Sequence, residues 1–166
     1  AVASSGLPVV FASSNTTVAL VTGNILSINS TGTAEITALQ TGNGTFAPAR
    51  YIRTITVNKA DQTITFQNPG IKTFGDPDFS AVAVSSTGLP VTFSSADPSI
   101  AQVSGNIIHI TGAGTTEITA SQAGSNLYYP AVDVALALVV EKADQTITFE
   151  ALPDMTYGDD DIEINA

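Results

Sequence analysis

Ala131-Val132-Asp133-Val134-Ala135-Leu136-Ala137-Leu138-Val139-Val140 puts a branched apolar side chain at every second position, with Asp133 on the opposite phase. Successive side chains leave opposite faces of a pleated chain, so alternation sustained over this length reads as a half-buried β-strand. Upstream, Thr116, Ile118 and Ala120 share one phase while Glu117 and Thr119 share the other. Gly124-Ser125-Asn126 separates the two stretches with residues suited to a turn. Working outward, strands are predicted at about 62–66, 80–84, 90–94, 99–103, 106–111, 115–121 and 131–140. Between them lie Asn68-Pro69-Gly70, Thr87-Gly88, Asp97-Pro98, Ser104-Gly105-Asn106 and Gly112-Ala113-Gly114. No stretch carries a helical period, and the density of Thr, Val, Ile and Gly disfavours one. Seven short strands with regular turn punctuation predict an all-β, immunoglobulin-like antiparallel β-sandwich. With neither Cys nor Trp, its core rests on aliphatics plus Phe66, Phe79, Phe93 and Tyr128.

The same pattern is written twice. Lys-Ala-Asp-Gln-Thr-Ile-Thr-Phe occurs at 59–66 and again, without a mismatch, at 142–149. Gly6-Leu7-Pro8-Val9 returns as Gly88-Leu89-Pro90-Val91, Gly23-Asn24-Ile25 as Gly105-Asn106-Ile107, and Phe74-Gly75-Asp76 as Tyr157-Gly158-Asp159. A period of this size is one small domain rather than a solenoid rung, so the expectation is a tandem array. Residues 1–58 then form an immunoglobulin-like unit lacking its first strands, 59–141 a complete unit, and 142–166 the opening strands of a further one. The chain reads as a piece of something longer. The offset changes from 82 to 83 between Ala49 and Lys59, and Arg53 falls on the inward phase where the second unit has Leu136. A β-bulge or an end-of-strand snorkel is predicted there in one unit.

Composition narrows the function classes. The chain has 166 residues and no Cys, which excludes disulfides and thiolate metal sites. Five basic against fifteen acidic residues give a net charge of −10, a sign that phosphate backbones repel. No apolar run approaches the roughly 20 residues of a membrane helix. No Ser-His-Asp order, phosphate loop or paired His ligands can be assembled, and the one histidine, His109, has Ser27 as its counterpart.

Ser95 to Ala101, then Val103-Ser104-Gly105-Asn106 and Gly114-Thr115-Thr116-Glu117-Ile118-Thr119-Ala120, together resemble the group-2 bacterial immunoglobulin-like pattern. The first unit carries it as Ser14-Asn15, Val18-Ala19-Leu20-Val21, Gly23-Asn24 and Gly32-Thr33-Ala34-Glu35-Ile36-Thr37-Ala38. The Phe/Tyr-Gly-Asp element after the repeated octapeptide is similar to MBG-type repeats of very large bacterial surface proteins. This resemblance implies a secreted or cell-surface, adhesin-like protein, and it brings no catalytic residues.

Two constellations stand out. Asp144, Asp159 and Asp161 could converge on Ca²⁺ at the joint after residue 141, since hard cations need several oxygen ligands together. Asp61, Asp76 and Asp78 are the equivalents one unit earlier. The spacing matches no calcium-loop consensus, and a solvated acidic turn is the plainer reading. Tyr128 and Tyr129 precede Pro130 at the mouth of the last strand, where one ring plugs the end of the sandwich and the other is a candidate for stacking on a sugar. The leading expectation is therefore a non-enzymatic spacer that needs no cofactor, its partners being neighbouring repeats. The alternatives are a module binding glycan or host protein, and a unit that associates with its own kind by donating strands 143–166 to the 1–58 unit of another molecule.

Overall fold

The computed structural model describes residues 1–158, 160 and 162–164, and among these the only regular elements are fourteen strands. Five belong to the first half: β1 (Val10–Ser13), β2 (Ala19–Thr22), β3 (Ile25–Ile28), β4 (Gly32–Gln40) and β5 (Ala49–Val57). Nine follow: β6 (Ile64–Phe66), β7 (Ile71–Thr73), β8 (Phe79–Ser80), β9 (Ala83–Ser85), β10 (Thr92–Ser95), β11 (Ala101–Ser104), β12 (Ile107–Ile110), β13 (Gly114–Ser121) and β14 (Val134–Glu141). Strands β1 to β5 pair only with one another, and β6 to β14 likewise.

The second set is an immunoglobulin-like β-sandwich. One layer has the order β10-β13-β14-β7; the other is made of β11-β12-β8 and the β6-β9 pair. All ladders are antiparallel except β14 with β7, an early and the last strand of this set, which run side by side in the same direction. Alternation decides what lies between the layers. Thr116, Ile118 and Ala120 of β13 and Leu138 and Val140 of β14 are buried, and Ile118, Leu138 and Val140 meet Ala101, Ile108 and Ile110 from the facing layer. Ile64, Ala120 and Ala131 form a second cluster, with the Phe66 and Phe93 rings tilted at 5.5 Å beside it.

All seven expected strands are present, one of them in two pieces, and one further strand joins them. The stretch expected at 80–84 is two pieces: β8 pairs with β12, the chain crosses at the buried Ala81 and exposed Val82, and β9 pairs with β6 in the neighbouring sheet. Strand β7 was not expected at all. Its three residues carry no alternation, and only pairing with β14 makes them a strand.

The irregularity expected near Arg53 is a bulge in the second unit. In the first, β4 and β5 pair without a break from Gly32↔Val57 to Gln40↔Ala49. In the second, Ala131 N–H donates to the Gln122 carbonyl at 3.0 Å, yet Val134 already lies opposite Ala120. Val132 and Asp133 therefore oppose the single residue Ser121, which defines a bulge. This corrects one expected position: Val132 does not join the inward row but is 85% exposed. Arg53 lies opposite Ile36 and rests its guanidinium 5.0 Å from the centroid of the Tyr51 ring.

Candidate functional site

A connected, buried polar group lies under the start of the second set of strands. Strand periodicity sends Gln62 and Ile64 of the repeated octapeptide inward and leaves Asp61, Thr63 and Thr65 exposed. The Gln62 amide nitrogen donates to Gln122 Oε1 and, at 2.7 Å, to the Tyr129 carbonyl. Its Oε1 accepts from Thr87 Oγ1 at 2.7 Å, and Gln122 Oε1 also accepts from Gly124 N–H at 2.5 Å. Both amides are nearly inaccessible to water, so each bond matters: a buried polar group without a partner is costly. The group ties the opening strand, the β9–β10 connection and the loop before β14 together. It was missed in the sequence, although a signal existed, since Gln62 recurs as Gln145 and Gln122 as Gln40.

The same loop is the joint. Ala60 N–H donates to the Leu127 carbonyl and its carbonyl accepts from Tyr129 N–H, both at 2.9 Å. From the first unit, Thr31 Oγ1 donates to the Asn126 carbonyl at 2.7 Å. The loop itself is tightened by Ser125 N–H on the Tyr128 carbonyl and by Gly124 at φ 81°. A Cβ at position 124 would stand 2.6 Å from the Tyr128 carbonyl oxygen, so only glycine fits. Tyr128 is half-buried, whereas Tyr129 is 47% exposed beside the exposed Leu127.

Among the described residues the carboxylates are dispersed. Asp144 lines a shallow groove with Phe74, Thr111, Gly112 and Lys142, while Asp159 and Asp161 lie outside the described residues. Asp76 Oδ2 accepts from Thr73 N–H at 2.9 Å, closing the turn after β7. Asp78 Oδ1 meets His109 Nδ1 at 2.6 Å, with both side chains more than half exposed. Among the described residues, no three His, Asp or Glu side chains converge as a metal site requires. No helix is long and apolar enough to cross a membrane among them.

The chain matches no family model and no curated protein sequence. Among solved structures it is similar to human protocadherin-24 EC1-2, at 15% identity over 85% of each chain with a TM-score of 0.38. It is also similar to domains 1-6 of the surface layer protein SbsC, at 16% identity over 86% of this chain and 21% of that one, TM-score 0.40. Domains 4 and 5 of the same S-layer protein align at 20% identity over 80% of this chain and 76% of theirs, TM-score 0.37.

Proposed function

We propose that the chain is a structural spacer repeat of a bacterial secreted or surface adhesin-like protein and performs no catalysis. The observation that carries this reading is the fastened joint. Ala60 is bonded through both its N–H and its carbonyl to the second unit, and Thr31 reaches the same loop from the first. A linker fastened to a loop that the first unit also reaches favours a fixed orientation, which is what a stalk requires of its joints. The bacterial, extracellular setting rests on the motifs of the two copies. Nitroxide labels at Ser27→Cys and Ser104→Cys, diluted into unlabelled chain, test it by dipolar spectroscopy. A single narrow distance distribution is expected, broadened by Ala60→Pro, which removes the N–H on Leu127. A broad distribution in the chain with Ala60 intact overturns the reading.

Tyr129 favours a second reading, a glycan- or protein-binding module, because its ring stays exposed next to Leu127. Reproducible binding on a glycan or host-protein array, abolished by Tyr129→Ala, would put that reading first.

A further inference from the structure

We propose that Asn43 is a self-modifying site: the Gly44 backbone nitrogen closes on the Asn43 side chain, and water then opens the ring to aspartate and isoaspartate. This goes beyond a spacer role and does not rest on it. Of the nine asparagines, Asn43 alone is followed by glycine, so no side chain on the next residue shields its carboxamide from that nitrogen. A Cβ at position 44 would meet nothing within 4 Å, so the space beside the reacting nitrogen is open.

The loop between β4 and β5 arranges the three groups the reaction uses. Asn43 Oδ1 accepts from Thr45 N–H at 2.8 Å and from Phe46 N–H at 2.9 Å. Attack at Cγ turns Oδ1 into an oxyanion, and backbone donors at these distances stabilise the charge as it forms. The nucleophile and the leaving group are both unengaged: among the described residues neither Gly44 N–H nor Asn43 Nδ2 makes a hydrogen bond. Asn43 N–H on the Phe46 carbonyl at 2.9 Å, and Gly42 N–H on Gln40 Oε1 at 2.5 Å, hold the turn.

Other asparagines lack this combination. Asn29 Nδ2 donates to the Thr16 carbonyl at 3.2 Å and Ser30 N–H to the Val18 carbonyl at 3.3 Å, which ties up leaving group and nucleophile together. Asn68 precedes Pro69, which has no N–H. The second unit builds the same turn on Ser125, whose N–H donates to the Tyr128 carbonyl at 2.9 Å and whose Oγ accepts from Leu127 and Tyr128 N–H at 3.1 and 3.3 Å. With no carboxamide at 125, that loop holds the geometry without the reaction.

The step balances with water alone. The Gly44 N–H proton passes to water or hydroxide, the N–Cγ bond forms, and the carboxamide nitrogen takes up a proton and leaves as ammonia. Water then adds to either carbonyl of the succinimide. Cleavage of the Cγ–N bond gives aspartate; cleavage of the bond from the Asn43 backbone carbonyl carbon gives isoaspartate, with one methylene added to the main chain between β4 and β5. The aspartate form keeps both N–H partners, now as charge-assisted bonds, so the turn survives conversion.

The test is incubation of the 166-residue chain at mildly alkaline pH, followed by ammonia release and the mass of segment 36–50, cut out after Glu35 and Arg50 and holding Asn43 as its lone asparagine. That segment should gain the difference between one water and one ammonia ahead of every other asparagine-bearing segment, with isoaspartate detected by enzymatic methylation. Conversion should be at least as fast in the folded chain as in the chain unfolded by guanidinium. Asn43→Ser keeps the turn, as Ser125 does, and should lose the product altogether. Gly44→Ala adds a Cβ in open space at a backbone outside the left-handed region, and should slow it. Circular dichroism checks the fold of both variants. An unchanged segment overturns the proposal, as do aspartate without isoaspartate, conversion undiminished in Gly44→Ala, or conversion slower folded than unfolded.

Discussion

Asp97 and Asn15 hold the same place in the two units and build the same turn with different chemistry. Asp97 Oδ1 accepts from Ser99 Oγ at 2.6 Å and from Ser99 N–H at 2.9 Å; Asn15 Oδ1 accepts from Thr17 Oγ1 at 2.6 Å and Thr17 N–H at 3.2 Å. The Ser99 hydroxyl, and after it the Ser99 N–H, hold the Asp97 carboxyl below the ordinary aspartate range. A depressed carboxyl stabilises the fold at pH values above its unfolded-state value, and that contribution fades as pH falls through the lowered folded value. Asp97→Asn should therefore keep the turn, as Asn15 does, and lose stability less steeply in acid. Urea midpoints taken from neutral pH down through the carboxylate range check this. Gln122→Ala presents the contrasting case of a buried amide, stranding Gly124 N–H and one donor of Gln62. A loss of about 1–3 kcal/mol in chemical unfolding is expected, together with strong non-additivity when combined with Gln62→Ala.

Equivalent strands differ in what covers them, and mutational cost should follow cover rather than sequence. Leu138 on β14 is inaccessible at the centre of the sandwich, whereas Ile55, its counterpart on β5, is only partly buried. Leu138→Ala should cost about 2–5 kcal/mol, and Ile55→Ala clearly less, because a half-covered side chain gives up less transfer and cavity energy. Paired denaturant titrations of the two variants decide it. The bulge at Val132 and Asp133 belongs to this scale as well. Alternation in 131–140 identified the strand, yet it could not locate where the ladder with β13 skips a residue. That depends on the loop, where Gln122 captures Gly124 and Ala131 bonds the Gln122 carbonyl before Val134 resumes pairing with Ala120.

At the scale of the whole molecule, the two sets of strands that pair only among themselves, β1–β5 and β6–β14, differ in how much core they bury. The second joins two buried clusters under both layers, while the first has a small one of Val18, Ala19 and Ala34. Calorimetry should accordingly resolve two transitions, the lower from residues 1–58. The all-β class, the tandem copy, the seven-strand count and the inward rows of β13 and β14 were legible by eye. They follow from side-chain alternation and repeated motifs, which are local properties of a chain. The break of the 80–84 strand into β8 and β9, the parallel β7–β14 pair and the buried Gln62–Gln122 group were not. Each depends on residues far apart in sequence meeting across the sandwich, and the β7 segment at 71–73 has no periodicity of its own. Local chemistry thus determined that this protein is a string of pleated strands written in duplicate. Only packing decided which edges are closed, because closure depends on long-range neighbours that no single stretch encodes.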